Sequence, residues 1–519
     1  MANLSDVLWQ RAAESPDRIG LIYDDGREWS YASIATAGNA LATRLADALE
    51  GADASERRAL VFLQNSPIMI FTLLGLWRAR ITAVPVNVMY KADEIRHAVS
   101  KARPSVAVTT REHAPLLRDA GFTGRVITVD DISHAELEHS AAFEPPADLA
   151  GVDAIVLFTG GSTGAPKAVT ITHEGFGSSL DSLVSASKRG RRGPFALAPD
   201  EVPPNLLYFP LFHAGGINAL LFAWIAGRRV LLMERFRAER VGELVRRYQV
   251  DNLFLLPTMM FDLLGLSEPD ALGSVRAVLS SGQELNPVLR RRFEEKFRIP
   301  IQSNYGSTEV GHVAGWTMHD IKAGRWTPGA VGVVYEGVEV EIRDDAGHEV
   351  ATGEIGELWV KTEVTRGYLN EQSTEGGLLI VDGWVRSRDV GYLDNEGRLF
   401  LAGRARDMIK CGGFQVWPSE IEEAILHDPL VRDVAVVRAA DERLGEIPVA
   451  FVVLEAAADG LDVTERIVHR CRERLAGYKM PRKVVQVDVI PRNDAGKTDK
   501  PKLAASLSAA GAADGTPHG

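Results

Sequence analysis

Runs of β-branched and aliphatic residues alternate with amphipathic stretches along most of the chain. RRALVFLQ (57–64), ITAVPVN (81–87), SVAVTT (105–110) and RVITVD (125–130) are apolar at nearly every position, the pattern of strands covered on both faces. Between them, residues 92–102 carry apolar positions at helical spacing. The alternation predicts βα units around a largely parallel sheet. It continues in AIVLFT (154–159), RRVLLM (228–233), DNLFLLP (251–257) and VRAVLSS (275–281). At the start, Ser5 before an apolar helical pattern predicts a capped helix. The most apolar stretch, 206–226, holds Pro210, His213, Gly215, Gly216 and Asn218. Those residues are costly in lipid, so it reads as a buried strand, a glycine turn and a buried helix.

From about residue 330 the texture changes. VEVEIRD (338–344), GELWVKT (356–362) and RLFLAGR (398–404) are separated by Asp, Asn and Gly turns, which predicts an antiparallel region. Beyond residue 407, DVAVVRA (433–439), VAFVVLE (449–455) and KVVQVDVI (483–490) flank helical stretches at 418–427 and 463–476. This is the pattern of a compact α+β unit. The Ala/Ser/Gly-rich tail, 506–519, predicts disorder.

Composition narrows the class. With 519 residues, 45% hydrophobic and 25% charged, the chain is an ordinary globular protein of more than one domain. A net charge of −12 argues against a nucleic-acid partner, and the basic run at residues 188–192 reads as a solvated loop. Cys411 and Cys471 form neither a disulfide framework nor a zinc-ligand pattern. The N-terminus lacks the layout of a signal peptide. These features predict a cytoplasmic chain without a membrane span.

The first candidate for chemistry is the segment Thr159, Gly160, Gly161, Ser162, Thr163, Gly164, Ala165, Pro166, Lys167, directly after an apolar strand. Backbone N–H groups of such a loop can close around phosphate oxygens, with Lys167 adding a point charge. It is not a Walker loop, since Ala165 and Pro166 separate the last glycine from the lysine. It also fits the Gly-x-Ser-x-Gly elbow of α/β-hydrolases, with Ser162 as nucleophile. A plain turn is the third reading.

Four further segments belong with this loop: PLFHAGG (210–216), YGSTE (305–309), GRARDMIKCGGFQVWPSEIE (403–422) and PRNDAGK (491–497). In this order the five resemble the motifs of the adenylate-forming superfamily, which holds acyl-CoA synthetases, firefly-luciferase-like enzymes and peptide-synthetase adenylation domains. The resemblance spans roughly residues 5–502. It implies an α/β fold with a large N-terminal domain of βα-type sheets (1–406), including a small β-barrel-like antiparallel subdomain. A small mobile α+β domain (407–505) follows, with its hinge at Asp407.

The implied reaction has two halves. A carboxylate attacks the α-phosphorus of ATP to give an acyl-adenylate and pyrophosphate; a thiol, usually that of CoA, then displaces AMP. The resemblance makes Lys497 the lysine that bridges the carboxylate and the α-phosphate, with Thr308 also on that phosphate and Glu309 the Mg²⁺ residue. It places adenine between Tyr305 and the wall Gly282, Gln283, Glu284, near Asn304, Gly306 and Ser307. Asp389 and Arg404 would hold the ribose. The acyl pocket would include Phe212, His213, Gly215, Gly216, Val310 and Gly311, and the CoA channel Lys410, Gly412, Gly413 and Phe414.

Two departures stand out. Arg388 replaces the usual small residue beside the ribose carboxylate, and Val360-Lys361-Thr362 replaces the usual Arg-Gly-Pro. Amino-acid-activating relatives have Asp after the Phe of the second motif; here it is His213, which argues for a plain carboxylic acid. The several glycines around the pocket suggest room for a fatty, aryl or polycyclic group. The expected partners are the acid, ATP and CoA, with a carrier-protein acceptor and a homodimer left open. The hydrolase using Ser162 is the remote alternative.

Overall fold

The computed structural model describes residues 3–53, 57–146, 152–159, 166–188, 202–268, 270–283, 285–369, 378–404, 407–455, 463–493 and 496–513. Its strands form four sheets. In the seven-stranded sheet, the parallel strands Arg58–Phe62, Thr82–Pro85, Val106–Thr109 and Arg125–Thr128 lie side by side, and Ile155–Thr159 extends them. The helix Ala92–Ala102 occupies the predicted amphipathic stretch and buries Ile95, Ala98 and Ala102. The helix Pro67–Arg78, capped by the Ser66 side chain, buries nearly its whole surface. This sheet therefore has apolar cover on both faces, as its continuous runs require.

The ten-stranded sheet positions most of the site. It begins with three parallel strands, Asn252–Leu255, Ala277–Ser281 and Ile301–Ser307. It turns antiparallel at Gly311–Trp316 and continues through Ala330–Val334, Arg398–Arg404, Trp384–Leu393, Gly356–Lys361 and Glu339–Arg343. The change of texture expected near 330 thus starts earlier. Only residues 308–310 separate the strands on either side, too short a connection for a parallel crossover. Asp382 and Gly383, both at positive φ (51° and 81°), make the tight turn between Ile380–Val381 and Trp384–Leu393.

The C-terminal region has its own five-stranded sheet. Val431–Asp441 and Gly445–Leu454 pair along their length, and the helices Pro418–Leu426 and Thr464–Arg474 pack beside them. Arg292 bonds Glu455 across to the larger body at 2.7 Å, and the Arg432 guanidinium lies 5.8 Å from the Phe261 ring centre.

Three expectations need correction. Ser5 precedes the helix Asp6–Glu14, but its side chain makes no cap; its hydroxyl bonds Asn3 Oδ1 instead, at 2.9 Å. The tail expected to be disordered carries the helix Lys500–Ala513, anchored where Leu503 and Leu507 pack on the C-terminal core. The stretch 206–226 holds the expected strand, Asn205–Leu207, and the expected buried helix, Ala214–Ile225, but Gly215 and Gly216 lie in the first turn of that helix rather than in the connection before it. No helix among the described residues is long and apolar enough to cross a membrane.

Candidate functional site

The site lies where the parallel strands Ala277–Ser281 and Ile301–Ser307 end, the edge at which open α/β sheets bind ligands. Ser281 leads into Gly282 at φ +83°. Beside it, Asn304 Nδ2 bonds Ser281 Oγ at 3.1 Å, and its Oδ1 accepts from the Tyr335 hydroxyl at 3.0 Å. Tyr335 reaches that far because residue 315 is glycine; a Cβ there would sit 2.0 Å from the tyrosine oxygen. Tyr335 carried no signal in the sequence, because its partner arrives from another strand.

Tyr305, the next residue, faces the opposite way. Its hydroxyl donates to Asp389 Oδ2 at 2.6 Å, while Arg404 Nε donates to Asp389 Oδ1 at 3.1 Å. Burial and the adjacent Asp389 carboxylate hold the Tyr305 hydroxyl well above its ordinary pKa, so it stays a donor. The Asp389 N–H is tied to Ser387 Oγ at 3.1 Å. Arg388 between them sits at φ +65°, a left-handed conformation natural to glycine. The burial that works against the Arg404 charge is outweighed by Asp389, Glu309, Tyr305 and Asp407, which together raise its pKa. The expected ribose pair, magnesium residue and hinge aspartate therefore share one electrostatic neighbourhood.

Thr308 and Glu309 lie on the tight turn after Ser307, whose Oγ accepts the Glu309 N–H at 3.3 Å. A hydrated Mg²⁺ bridging phosphates needs only one or two protein carboxylates. Glu309 is a single carboxylate of that kind.

Thr159 and Lys167 are paired across adjacent antiparallel strands. Lys167 Nζ lies 4.7 Å from the centre of the Tyr368 ring. Gly160, Gly161, Ser162, Thr163 and Gly164, together with Glu284 of the adenine wall, lie outside the described residues.

Lys497 comes from the C-terminal unit, yet a Cβ on Gly282 would sit 4.0 Å from its Cε. Its backbone is fixed by reciprocal bonds with Asn493: Lys497 N–H to Asn493 Oδ1 at 3.0 Å, and Asn493 N–H to the Lys497 carbonyl at 2.7 Å. Gly496, at φ +73°, lies against Leu256 and Thr258 of the large body. The structure thus brings Lys497 to the nucleotide edge and leaves the other loop outside. Gly412, Gly413 and Phe414 are exposed, and the Phe414 ring stacks on Tyr478 with centres 4.5 Å apart. Lys410 is exposed, with its N–H on Glu446 at 2.8 Å.

In the expected acyl region, the rings of Phe212 and His213 are 4.7 Å apart and His213 precedes the helix Ala214–Ile225. The idea that the glycines clear space holds at Gly215, where a Cβ would meet nothing within 4 Å. It fails at two others. A Cβ at Gly216 would lie 2.2 Å from the Pro210 carbonyl oxygen, and at Gly311 2.4 Å from Ser179 Oγ. Gly306, expected near adenine, is crowded in the same way, since a Cβ there would lie 2.1 Å from the Gly311 carbonyl oxygen. All three are glycine because neighbouring atoms come too close for a side chain. Val310 is buried in the core beneath the antiparallel strands.

Fold and site define an adenylate-forming enzyme whose candidate lysine, Lys497, is borne by the C-terminal unit. The sequence pattern of the AMP-binding enzyme family matches residues 8–369, and that of the AMP-binding enzyme C-terminal domain matches residues 420–497. The chain belongs to this family, within the adenylate-forming superfamily. It is 29% identical to 4-coumarate-CoA ligase 2 of Narcissus pseudonarcissus, over 97% of this chain and 92% of the relative. Among solved structures, ATP-bound MatB from Rhodopseudomonas palustris superposes with a TM-score of 0.85 at 26% identity, covering 98% of this chain and 99% of that one. The o-succinylbenzoate CoA synthetase MenE from Bacillus subtilis, in complex with its acyl-adenylate, gives 0.80 at 28% identity, covering 96% and 97%.

Proposed function

We propose that the protein is an ATP-dependent, AMP-forming acyl-CoA synthetase acting on a carboxylic acid that bears a ring or other bulky group. The observation that carries this reading is Lys497 beside Gly282, at the strand edge that also holds Tyr305 and Asp389. Two anions must meet in the first half-reaction, and a cation held in place offsets their repulsion while fixing the line of attack. Lys497 does this between the carboxylate and the α-phosphate, with Thr308 on the same phosphate. The Thr159–Lys167 connection holds the departing phosphates. Asp389 and Arg404 hold the ribose, and Tyr305 covers one face of adenine. Glu309 would hold Mg²⁺, which supplies charge neutralisation on the phosphates.

For the second half, the small unit turns at Asp407, withdraws Lys497 and brings the exposed Lys410–Phe414 hairpin to the site, opening a path for the CoA thiol. CoA as acceptor is supported by the relatives, which are named CoA ligases. The ring-bearing acid is supported by their named acids, 4-coumarate and o-succinylbenzoate, and by the absence of an acidic side chain after Phe212 to meet an amino group. The test is acid-dependent ATP–pyrophosphate exchange followed by CoA-dependent release of AMP. Exchange without a response to CoA would move the acceptor to a carrier protein.

A further inference from the structure

His312 is the second residue of the strand Gly311–Trp316, directly after Gly311 of the expected acyl pocket. Its ring is buried, at 9% exposure, and lies on the same side of the sheet as Asn304. The Asn304 amide nitrogen lies 2.9 Å from His312 Nδ1. Since Asn304 Oδ1 already accepts from Tyr335, that amide nitrogen is the donor and Nδ1 the acceptor. A neutral imidazole with Nδ1 accepting carries its proton on Nε2. Burial depresses the His312 pKa to about 4, so the ring is neutral at working pH. Nε2 is buried and has no hydrogen-bond partner among the described residues.

A buried N–H left without an acceptor is costly, and native proteins rarely keep one without a use. Here the donor is held by three parts: the Tyr335–Asn304–His312 chain fixes the ring, the His312 N–H is bonded to Ser179 Oγ at 2.9 Å, and glycine at 315 admits Tyr335. The two ring nitrogens point in diverging directions. Nε2 is therefore turned away from Asn304, the residue expected near adenine.

We infer that His312 Nε2–H is a specificity-determining donor for the acid, selecting acyl groups that carry a neutral oxygen acceptor, such as a hydroxyl, ether or keto oxygen, away from the carboxylate. The inference rests on the ligase reading and narrows its substrate class. A site built around a donor discriminates strongly against an analogue that leaves the donor unpaired.

The experiment measures ATP–pyrophosphate exchange with matched acids: 4-hydroxycinnamate and cinnamate, 4-hydroxybenzoate and benzoate, 6-hydroxy-2-naphthoate and 2-naphthoate. The wild type is expected to favour the oxygen-bearing member of at least one pair by tenfold or more in kcat/KM. His312→Leu should bring that ratio near one. His312→Gln, whose amide nitrogen can stand where Nε2 does, should keep most of it. An unchanged ratio in His312→Leu overturns the inference, as does a wild-type ratio near one for every pair exchanged. A change confined to the KM for ATP also overturns it, by assigning His312 to the adenine. If none of these six acids supports exchange while acids without a ring do, the ring-bearing reading fails and the inference falls with it.

Discussion

The phenol of Tyr305 donates to the carboxylate of Asp389 at 2.6 Å, joining residues 84 positions apart in sequence. The bond ties the strand Ile301–Ser307 to the strand Trp384–Leu393, which carries the carboxylate proposed to hold the ribose. Removing the hydroxyl while keeping the ring separates its part from stacking. Tyr305→Phe is expected to raise the KM for ATP roughly tenfold to a hundredfold with a smaller effect on kcat, since a hydrogen bond to a charged group is worth roughly 1.5–3 kcal/mol. Tyr305→Ala should be far worse. Steady-state kinetics with varied ATP decide it, and an unchanged KM in Tyr305→Phe would contradict the account.

Lys497 serves only one half of the reaction in this scheme. Lys497→Ala should lower adenylation by at least about a hundredfold, the order seen when a positioned charge at a reacting centre is removed. Thioester formation from a pre-made acyl-adenylate should stay within a few-fold of wild type. Single-turnover assays of each half separate the two, and equal losses in both would exclude a lysine that withdraws.

The hinge makes the opposite prediction. Proline fixes φ and restricts the residue before it, so Asp407→Pro should slow thioester formation much more than adenylation. Equal effects on both halves, in a variant that melts like wild type, would remove Asp407 from the hinge role.

Arg388 holds a left-handed backbone conformation at φ +65°. That conformation costs a non-glycine residue about 1–2 kcal/mol, partly offset by the greater chain entropy of glycine. Arg388→Gly should therefore raise unfolding stability by up to about 1 kcal/mol in urea titrations. A loss of stability would mean that contacts of the arginine outweigh the strain.

Acid stability follows from two buried histidines. Burial is the main cause that lowers His173 to about 3 and His312 to about 4, below the usual 6.5. Both are neutral when folded and take up protons on unfolding. Stability is full above about pH 6.5 and is lost as pH falls below it, by about 1.4 kcal/mol per pH unit for each histidine until the folded pKa is reached. His173 Nδ1 accepts the Leu4 N–H at 3.2 Å, and the oxygen of Asn can take that place. His173→Asn should reduce the slope of stability between pH 6 and 4.5 by about one histidine's share. An unchanged slope would show that His173 is not one of the groups responsible.

The strands and helices were legible because their signals are local. The run at 154–159 and the helix at 92–102 both sit where the pattern places them. The ordered motifs likewise pointed to Tyr305, Asp389, Arg404 and Lys497. What stayed hidden depends on partners distant in sequence. Ser5 has the chemistry of a cap but is drawn to Asn3. The tail is low in complexity, yet two leucines suffice to dock its helix. The glycines at 216 and 311 looked like cleared space, and only the crossing backbone and side-chain atoms reveal why they are glycine. Tyr335 and the free nitrogen of His312 belong to the same hidden class, because their meaning lies in a bond made or left unmade across strands.

The central claim, that this chain joins a ring-bearing acid to CoA through an adenylate, is tested most directly by one assay series. ATP–pyrophosphate exchange is measured over a panel of aryl, polycyclic, fatty and amino acids, and AMP release is followed with and without CoA. The account predicts exchange with ring-bearing acids, little with amino acids, and AMP release that multiplies when CoA is added. Exchange with amino acids alone, or AMP release indifferent to CoA, would contradict it.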